Sequence, residues 1–400
     1  MKIYLIGMGM GDGGTLTAEG SRAAAEAELL IGAPRMLEYA GDISRPRFVS
    51  YDPKEIKEYL RQSCEYSSAA VLLSGDTSFY SGAKRLASEL KGHDVRILPG
   101  ISSLSYMCAL IGAAEEDTEP VSLHGRENSI ICRVRDSLYT FVLLGRAEDA
   151  EHICRELSDY GMEDSTVYIG SRLGYSDEQL IKTKPNEYSG DIKMPAVVMV
   201  ENPDPKRISG THVNDDEFIR GSVPMTKDEI RALSAAALNP APGSVIYDIG
   251  AGTGSVSVEL SLRSHDNIVY AIERDAEARE LIKANRKKFG ADNIRIMEGE
   301  APDVLDGLPA PDSVFIGGSG GNIRDIVEAV LKKNGAAVIV INTVTLDSAA
   351  AVIDSAEQLG LDMEASLVST AHSRKAGKSL LMTGRNPVYI FKLRRIAYGK

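Results

Sequence analysis

Residues 245–254 read Val-Ile-Tyr-Asp-Ile-Gly-Ala-Gly-Thr-Gly, an apolar run that passes into three glycines at alternate positions, and a helix-forming stretch opens at Ser255. Glycine lets a chain turn sharply and lets backbone approach a ligand where any Cβ would intrude. Working outward, the apolar segments SVIYDIG, NIVYAIE, NIRIM, DSVFIGG and AAVIVIN follow one another through residues 244–342. Helical stretches of roughly 10–15 residues separate them, the pattern of parallel βαβ units. A doubly wound parallel sheet follows, with ligands expected at the carboxyl ends of its strands. The fold class of this half is α/β and Rossmann-like.

The loop can be read further. Gly250, Gly252 and Gly254, with Asp248 two residues ahead and Thr253 between the last two glycines, give D-x-G-x-G-x-G in place of the GxGxxG of dinucleotide sites. That form suits the zwitterionic methionine end of S-adenosylmethionine, its carboxylate meeting backbone N–H groups and its ammonium a nearby acid. Glu273 ends the next strand, where a carboxylate accepts hydrogen bonds from both ribose hydroxyls. Glu300 and Ala301 follow the third strand, where the adenine should lie. Asp312 begins the fourth strand, and the turn Gly317–Gly321, with Gly318 and Ser319 inside it, ends it and should bring a substrate near the methyl group. A nicotinamide dehydrogenase is the rival reading. Ser255 and Val256 stand where its third glycine could fall, which disfavours it.

The whole chain has 400 residues, enough for two or three domains. It is 43% hydrophobic and 26% charged with 16 prolines, which argues against a long disordered tail. No run approaches the roughly 20 apolar residues of a membrane helix. The opening MKIYLIGMGMGDGG alternates and ends in glycines, so it reads as a strand and turn, not a signal peptide. A cytoplasmic location without a membrane partner is expected. The net charge of −12 speaks against a nucleic-acid partner. Residues 1–202 hold 21 basic and 31 acidic side chains, and residues 203–400 hold 24 and 26. An anionic substrate would therefore need local basic groups. Cys64, Cys108, Cys132 and Cys154 form no CxxC pair. Neither a metal site nor a disulfide framework is expected, and buried thiols are the plain reading.

A polar seam, NPDPKRISGTHVNDDEFIRGSVPM, runs from Asn202 to Met225 and divides the chain into residues 1–202, a linker at 203–224, and residues 225–400. No internal repeat links the halves. The first half also alternates strands and helices: IYLIG, a helix near residues 17–28 capped by Thr17, VLLS, VRIL, a helix near residues 102–111, TFVLL, STVYIG and AVVMVE. The acidic break EEDTEP at 115–120 separates two expected lobes, about 1–114 and 120–202.

Resemblance sharpens both halves. MTKDEIRALSAAAL, DIGAGTGSVSVEL, VYAIERD, EGEAPDVL, PDSVFIGGSGG, INTVTLDS and NPVYI together resemble the cobalamin-pathway methyltransferases that methylate carbon 15 of a precorrin and decarboxylate its acetate on carbon 12. In the first half, Gly7-Met8-Gly9-Met10-Gly11-Asp12, Ser74-Gly75-Asp76-Thr77-Ser78-Phe79-Tyr80-Ser81, Pro99-Gly100-Ile101-Ser102-Ser103 and Ser122-Leu123-His124-Gly125-Arg126 resemble the tetrapyrrole methylase family, in the branch that methylates carbon 5. Met10 and Thr77 stand where that family usually has proline. The resemblance implies an N-terminal two-lobed tetrapyrrole methylase fold followed by a C-terminal doubly wound Rossmann-like methyltransferase fold. It also implies S-adenosylmethionine as cofactor of both halves, and a precorrin-6B-type tetrapyrrole, with or without cobalt, as substrate. In the first half the cofactor residues it implies are Gly9, Gly75, Asp76, Phe79, Tyr80, Ser102 and Ser103.

A sulfonium methyl is already activated, so an in-line nucleophile held in place matters more than a strong base. The conjugated macrocycle can take up the electrons left by departing CO₂. Its carboxylates call for arginines and lysines. The candidates are His124 and Arg126 in the first half, and Lys227, Arg231 and Arg374 in the second, the last within the cationic run His372, Arg374, Lys375, Lys378. Glu300 and Asp312 are the candidates for acid–base work in decarboxylation. A homo-oligomer is expected. The alternatives are a methyltransferase acting on RNA or protein, and a non-catalytic tetrapyrrole carrier, which would need no cofactor loop.

Overall fold

The computed structural model describes residues 1–11, 14–40, 44–124, 128–206 and 212–395. The chain divides into two compact units, one of residues 1–127 and 137–205, the other of residues 128–136 and 206–400.

The first unit contains two five-stranded sheets. Strands β1 (Lys2–Gly7), β2 (Leu29–Gly32), β3 (Arg47–Val49), β4 (Ser68–Leu73) and β5 (Asp94–Leu98) pair in parallel in the order β3-β2-β4-β1-β5. β1 is buried from Ile3 to Gly7, as a central parallel strand covered on both faces must be. The second sheet, of β6 (Thr118–Ser122), β7 (Tyr139–Leu143), β8 (Thr166–Ser171), β9 (Gln179–Thr183) and β10 (Ala196–Glu201), runs β6-β7-β10-β8-β9 and is mostly antiparallel. Thr17 caps the helix Ala18–Glu26 by accepting from the Gly20 N–H, and Ser102 caps Ser103–Ile111. The acidic break is a single 3-10 turn, Glu115–Asp117, whose remaining residues already belong to β6.

The second unit holds a seven-stranded sheet of β11 (Val245–Ile249), β12 (Ile268–Glu273), β13 (Ile294–Glu298), β14 (Ser313–Ile316), β15 (Val338–Thr343), β16 (Leu361–Val368) and, after the ribbon β17 (Ala371–Ala376) and β18 (Ser379–Gly384), β19 (Val388–Arg395). The order is β13-β12-β11-β14-β15-β19-β16. The first five are parallel, and β19 enters antiparallel between β15 and β16. Strand order reverses between β11 and β14, which opens a crevice at their carboxyl ends.

Two features depart from the plain reading of the sequence. The stretch read as a linker is partly core, since Val213, Asp215 and Phe218 are buried. Residues 128–136 belong to the second unit, although they lie within the stretch assigned to the first half. The Asp292 carboxylate accepts from the N–H groups of Ile130 at 2.7 Å, Ile131 at 3.0 Å and Cys132 at 3.1 Å, at the start of the helix Ile131–Asp136. Three of the four thiols are buried, and Cys64 is exposed.

Arg231, expected to bind substrate, is instead part of the core: its side chain is fully buried. It donates to Glu259 at 2.8 Å, Asp215 at 3.1 Å and the Thr226 carbonyl at 2.7 Å, also bonds the Val213 carbonyl, and lies 4.7 Å from the Phe218 ring centroid. Burial raises the Glu259 carboxyl, and the Arg231 charge opposes that rise. The guanidinium thus ties residues 213–226 to the helix Asp228–Leu238. Removing one partner of a buried ion pair leaves a bare charge, at a cost of about 3–5 kcal/mol. Arg231→Met is expected to lower the stability of the second unit by that amount, read as a fall in the urea midpoint of its unfolding transition. An unchanged midpoint contradicts this role.

Candidate functional site

A cavity of about 920 Å³ lies within the second unit at the crevice between β11 and β14. The β11 loop lines it through Gly250, Ala251, Gly252 and Thr253, and β12 contributes Glu273 and Arg274 at its end. Gly299, Glu300 and Ala301 follow β13, and Gly317, Gly318, Ser319 and Gly320 follow β14. Beside Lys227, sequence reasoning missed a further wall made of Val223–Thr226, Asn342, Val344, Arg385, Asn386 and Val388. Three of its pieces lie in motifs already singled out, MTKDE, INTVTLDS and NPVYI, but nothing in their composition marks them as lining a site.

Close backbone approach explains the glycines. A Cβ on Gly250 would stand 2.8 Å from the Gly318 nitrogen, so the first loop passes this close to the Gly318 backbone only because residue 250 has no side chain. The Gly252 N–H donates to Glu273 Oε2 at 2.9 Å, which fixes the loop against the end of β12. Thr253 is 1% exposed and its Oγ1 has no partner among the described residues. A buried hydroxyl left open in a loop that lines the cavity fits the carboxylate of an amino-acid ligand. Glu273 and Glu300, both lining the cavity, provide acceptors for hydroxyls and amines.

Several expected residues stand elsewhere. Asp248 is fully buried and does not line the cavity; it accepts from the Ser257 hydroxyl and so holds the loop to the helix Ser255–Ser261. Gly254 has φ +76°, and a Cβ there would lie 3.1 Å from Ile282, so its lack of a side chain serves helix packing. Asp312 is at the amino end of β14, where it accepts from the Val245 N–H at 2.9 Å, so it lies at the wrong edge of the sheet for the reaction. Arg374 lies in the β17–β18 ribbon, exposed and away from the cavity lining. Of its neighbours, His372 approaches Glu229, which also pairs with Arg385 at 3.0 Å. Lys227, Gly318 and Ser319 line the cavity as expected, and of the two acid–base candidates only Glu300 does.

The first unit has its own cavity of about 750 Å³. Gly75, Asp76, Phe79, Tyr80, Ser103 and His124 line it. Gly9 and Ser102 do not: Gly9 bridges to Gly75, with N–H to O distances of 2.9 and 3.1 Å, and Ser102 caps its helix. Arg126 lies outside the described residues. Three glycine loops meet backbone to backbone, since a Cβ on Gly7 would stand 2.6 Å from the Gly100 nitrogen and one on Gly100 would stand 2.3 Å from the Gly75 oxygen. Asp76 locks this junction by accepting from the Gly100 N–H at 2.8 Å and from Ser78. Burial alone would raise its carboxyl, but these hydrogen bonds outweigh burial and hold it below the usual range.

Residues 217–395 match the precorrin methyltransferase domain family, and residues 2–188 match the tetrapyrrole (corrin/porphyrin) methylases. A probable cobalt-precorrin-6B C(15)-methyltransferase (decarboxylating) of Pyrobaculum calidifontis is 40% identical over 44% of this chain and 93% of its own length. The chain belongs to the decarboxylating precorrin methyltransferase family. A second member, from Sulfolobus acidocaldarius, is 39% identical over 44% of this chain and 94% of its own length. The precorrin-6Y C(5,15)-methyltransferase [decarboxylating] of a Sinorhizobium species, another relative, is 29% identical over 89% of this chain and 88% of its own length. The fused two-domain arrangement of this chain is thus shared along nearly its whole length. Among the described residues no helix is long and apolar enough to cross a membrane.

Burial pushes the Asp248 carboxyl up to about 7. An unfolded chain carries it near 3.9. Between those values the folded protein holds the extra proton, so this group makes stability fall as pH rises from about 4 to about 7. Asp248→Asn keeps an acceptor for Ser257 and cannot ionise. Its stability relative to the parent should therefore improve across that window by on the order of 4 kcal/mol at most. Denaturant midpoints at pH 5 and pH 8 test this, and parallel pH profiles for the two proteins contradict it.

Proposed function

We propose that the chain methylates carbons 5 and 15 of a precorrin-6B-type tetrapyrrole from S-adenosylmethionine and decarboxylates the acetate on carbon 12, in cobalamin biosynthesis. The observation that carries this reading is the presence of two separately built glycine-loop cavities, one in each unit, in a chain matched along 89% of its length by a C(5,15) relative. The relatives named for carbon 15 alone match about 180 residues, the extent of the match at 217–395, which supports giving carbon 15 to the second unit and carbon 5 to the first.

Bound in each cavity, S-adenosylmethionine would supply an activated methyl group. In the second unit, the open Thr253 hydroxyl in the loop that lines the cavity holds the methionine carboxylate, and Glu273 takes the ribose hydroxyls. Ala301, 3% exposed, packs against the adenine. The Gly317–Gly320 turn leaves room for the macrocycle edge to reach the methyl, because positions 317, 318 and 320 carry no side chain. Holding a carbon in line in this way can lower the barrier by up to ~7–11 kcal/mol without any base. Lys227 faces the cavity and is suited to a substrate carboxylate. Electrons from the broken C–C bond of the acetate pass into the conjugated ring of the substrate, and of the two lining acids we assign Glu300, which accepts from Arg274 at 2.9 Å, to the return of a proton to the resulting carbon.

Charge-assisted hydrogen bonds contribute about 1.5–3 kcal/mol. Glu273→Ala should therefore lower carbon-15 methylation roughly 10- to 100-fold while carbon-5 methylation stays within twofold. Product NMR with methyl-labelled cofactor decides the matter. Equal loss at both carbons, or loss at carbon 5 alone, contradicts the division of labour.

A further inference from the structure

One strong cation in the first unit's cavity remains unassigned. Arg35 follows β2, in the short helix Pro34–Tyr39, and lines the cavity. Its guanidinium donates from Nη1 to the Tyr175 hydroxyl at 2.5 Å and from Nη2 to the Ser74 hydroxyl at 2.7 Å. Both partners are neutral, and among the described residues no carboxylate pairs with it. The other formal charge in the lining, Asp76, is occupied by Ser78 and the Gly100 N–H. The unit therefore combines an overall acid excess with a half-buried guanidinium that lacks a counter-ion inside its main cavity.

The fork is also held in place. Tyr175 carries the Arg172 guanidinium over its ring at 4.1 Å, and Arg172 is itself fixed to Asp177 at 2.6 Å. Tyr39 meets the Tyr175 ring edge-on, with centroids 6.5 Å apart. Ser74 stands at the end of β4, in the loop that also carries Gly75 and Asp76. Arg35 is thus braced between two fixed hydroxyls, and a guanidinium so braced loses little freedom on meeting a planar anion. A carboxylate completes the charge and can accept two parallel N–H bonds.

The geometry points to Arg35 as the anchor for a carboxylate side chain of the tetrapyrrole bound in the first unit. This rests on the reading of that unit as the carbon-5 methyltransferase. The methionine carboxylate of the cofactor has the same chemistry, and the test separates the two sources. We commit to the substrate because it brings several carboxylates into an acidic unit that otherwise repels them.

The test uses the full chain with Arg35→Gln and Arg35→Lys, measuring KM and kcat for tetrapyrrole and KM for S-adenosylmethionine in the carbon-5 reaction, with carbon-15 methylation as the internal control. Arg35→Gln should raise the tetrapyrrole KM at least tenfold and leave the cofactor KM and the carbon-15 reaction within twofold. Arg35→Lys should recover part of the loss, because it keeps the charge and loses the fork. A rise in the cofactor KM with an unchanged tetrapyrrole KM overturns the proposal in favour of the methionine carboxylate, and no change in either overturns it outright. Should Arg35→Gln misfold, Tyr175→Phe serves in its place: it frees one arm of the fork, and a tetrapyrrole KM unchanged in that variant also counts against the proposal. Carbon-5 methylation by the parent chain checks the underlying reading on its own. A parent that methylates only carbon 15 sinks that reading, whatever the variants do.

Discussion

Backbone can lie against backbone at the carboxyl edge of the second sheet because Gly250 lacks a side chain where its loop crosses the backbone of Gly318. That crossing lies at the crevice which the strand reversal opens, and Glu273, Glu300 and Ser319 stand around the cavity there. A methyl group at Gly250 would have to occupy space already filled by peptide. The loop would then move outward, and the open Thr253 hydroxyl would move with it.

The first unit reaches a comparable end by other means. Its glycines at 7, 75 and 100 meet from three loops in place of two, and a buried carboxylate, Asp76, secures the junction through the Gly100 N–H. Asp248 is the nearest counterpart in the second unit, buried beneath its loop and bonded to Ser257. Both acids hold loops in shape, though only Asp76 also lines its cavity. Each sits among hydrogen-bond donors that set how readily it carries charge: donors win at Asp76, and burial wins at Asp248.

Much of this was legible in the sequence, and the reasons are specific. β11, β12, β14 and β15 are short, largely apolar runs with buried faces on both sides, so they are hard to mistake for anything else. β16 is LDMEASLV, largely exposed, and β17 and β18 form an exposed ribbon, so neither shows the pattern of a buried strand and the run around Arg374 reads as a cationic patch. The loop glycines were readable as a group, but which of them face a cavity depends on three-dimensional crossing: Gly250 and Gly252 do, while Gly254 backs onto Ile282. Arg231 looked like a substrate ligand because a lone arginine on a helix carries no label, and its two carboxylate partners lie 16 and 28 residues away. Residues 128–136 gave no sign of joining the second unit, since Asp292 holds them through main-chain N–H groups that no side-chain pattern announces. Arg35 was passed over for the same reason as Arg231, with the opposite outcome, because its partners are neutral hydroxyls and its fork faces open space.

The central claim is that each unit builds a separate seat for the same nucleoside. Isothermal titration of the intact chain with S-adenosylhomocysteine, the demethylated product, tests it most directly, because that ligand binds without turning over. Two molecules per chain are predicted, and Glu273→Ala should remove or weaken one of them while the other keeps its affinity. A stoichiometry of one, lost altogether in that variant, would contradict the account.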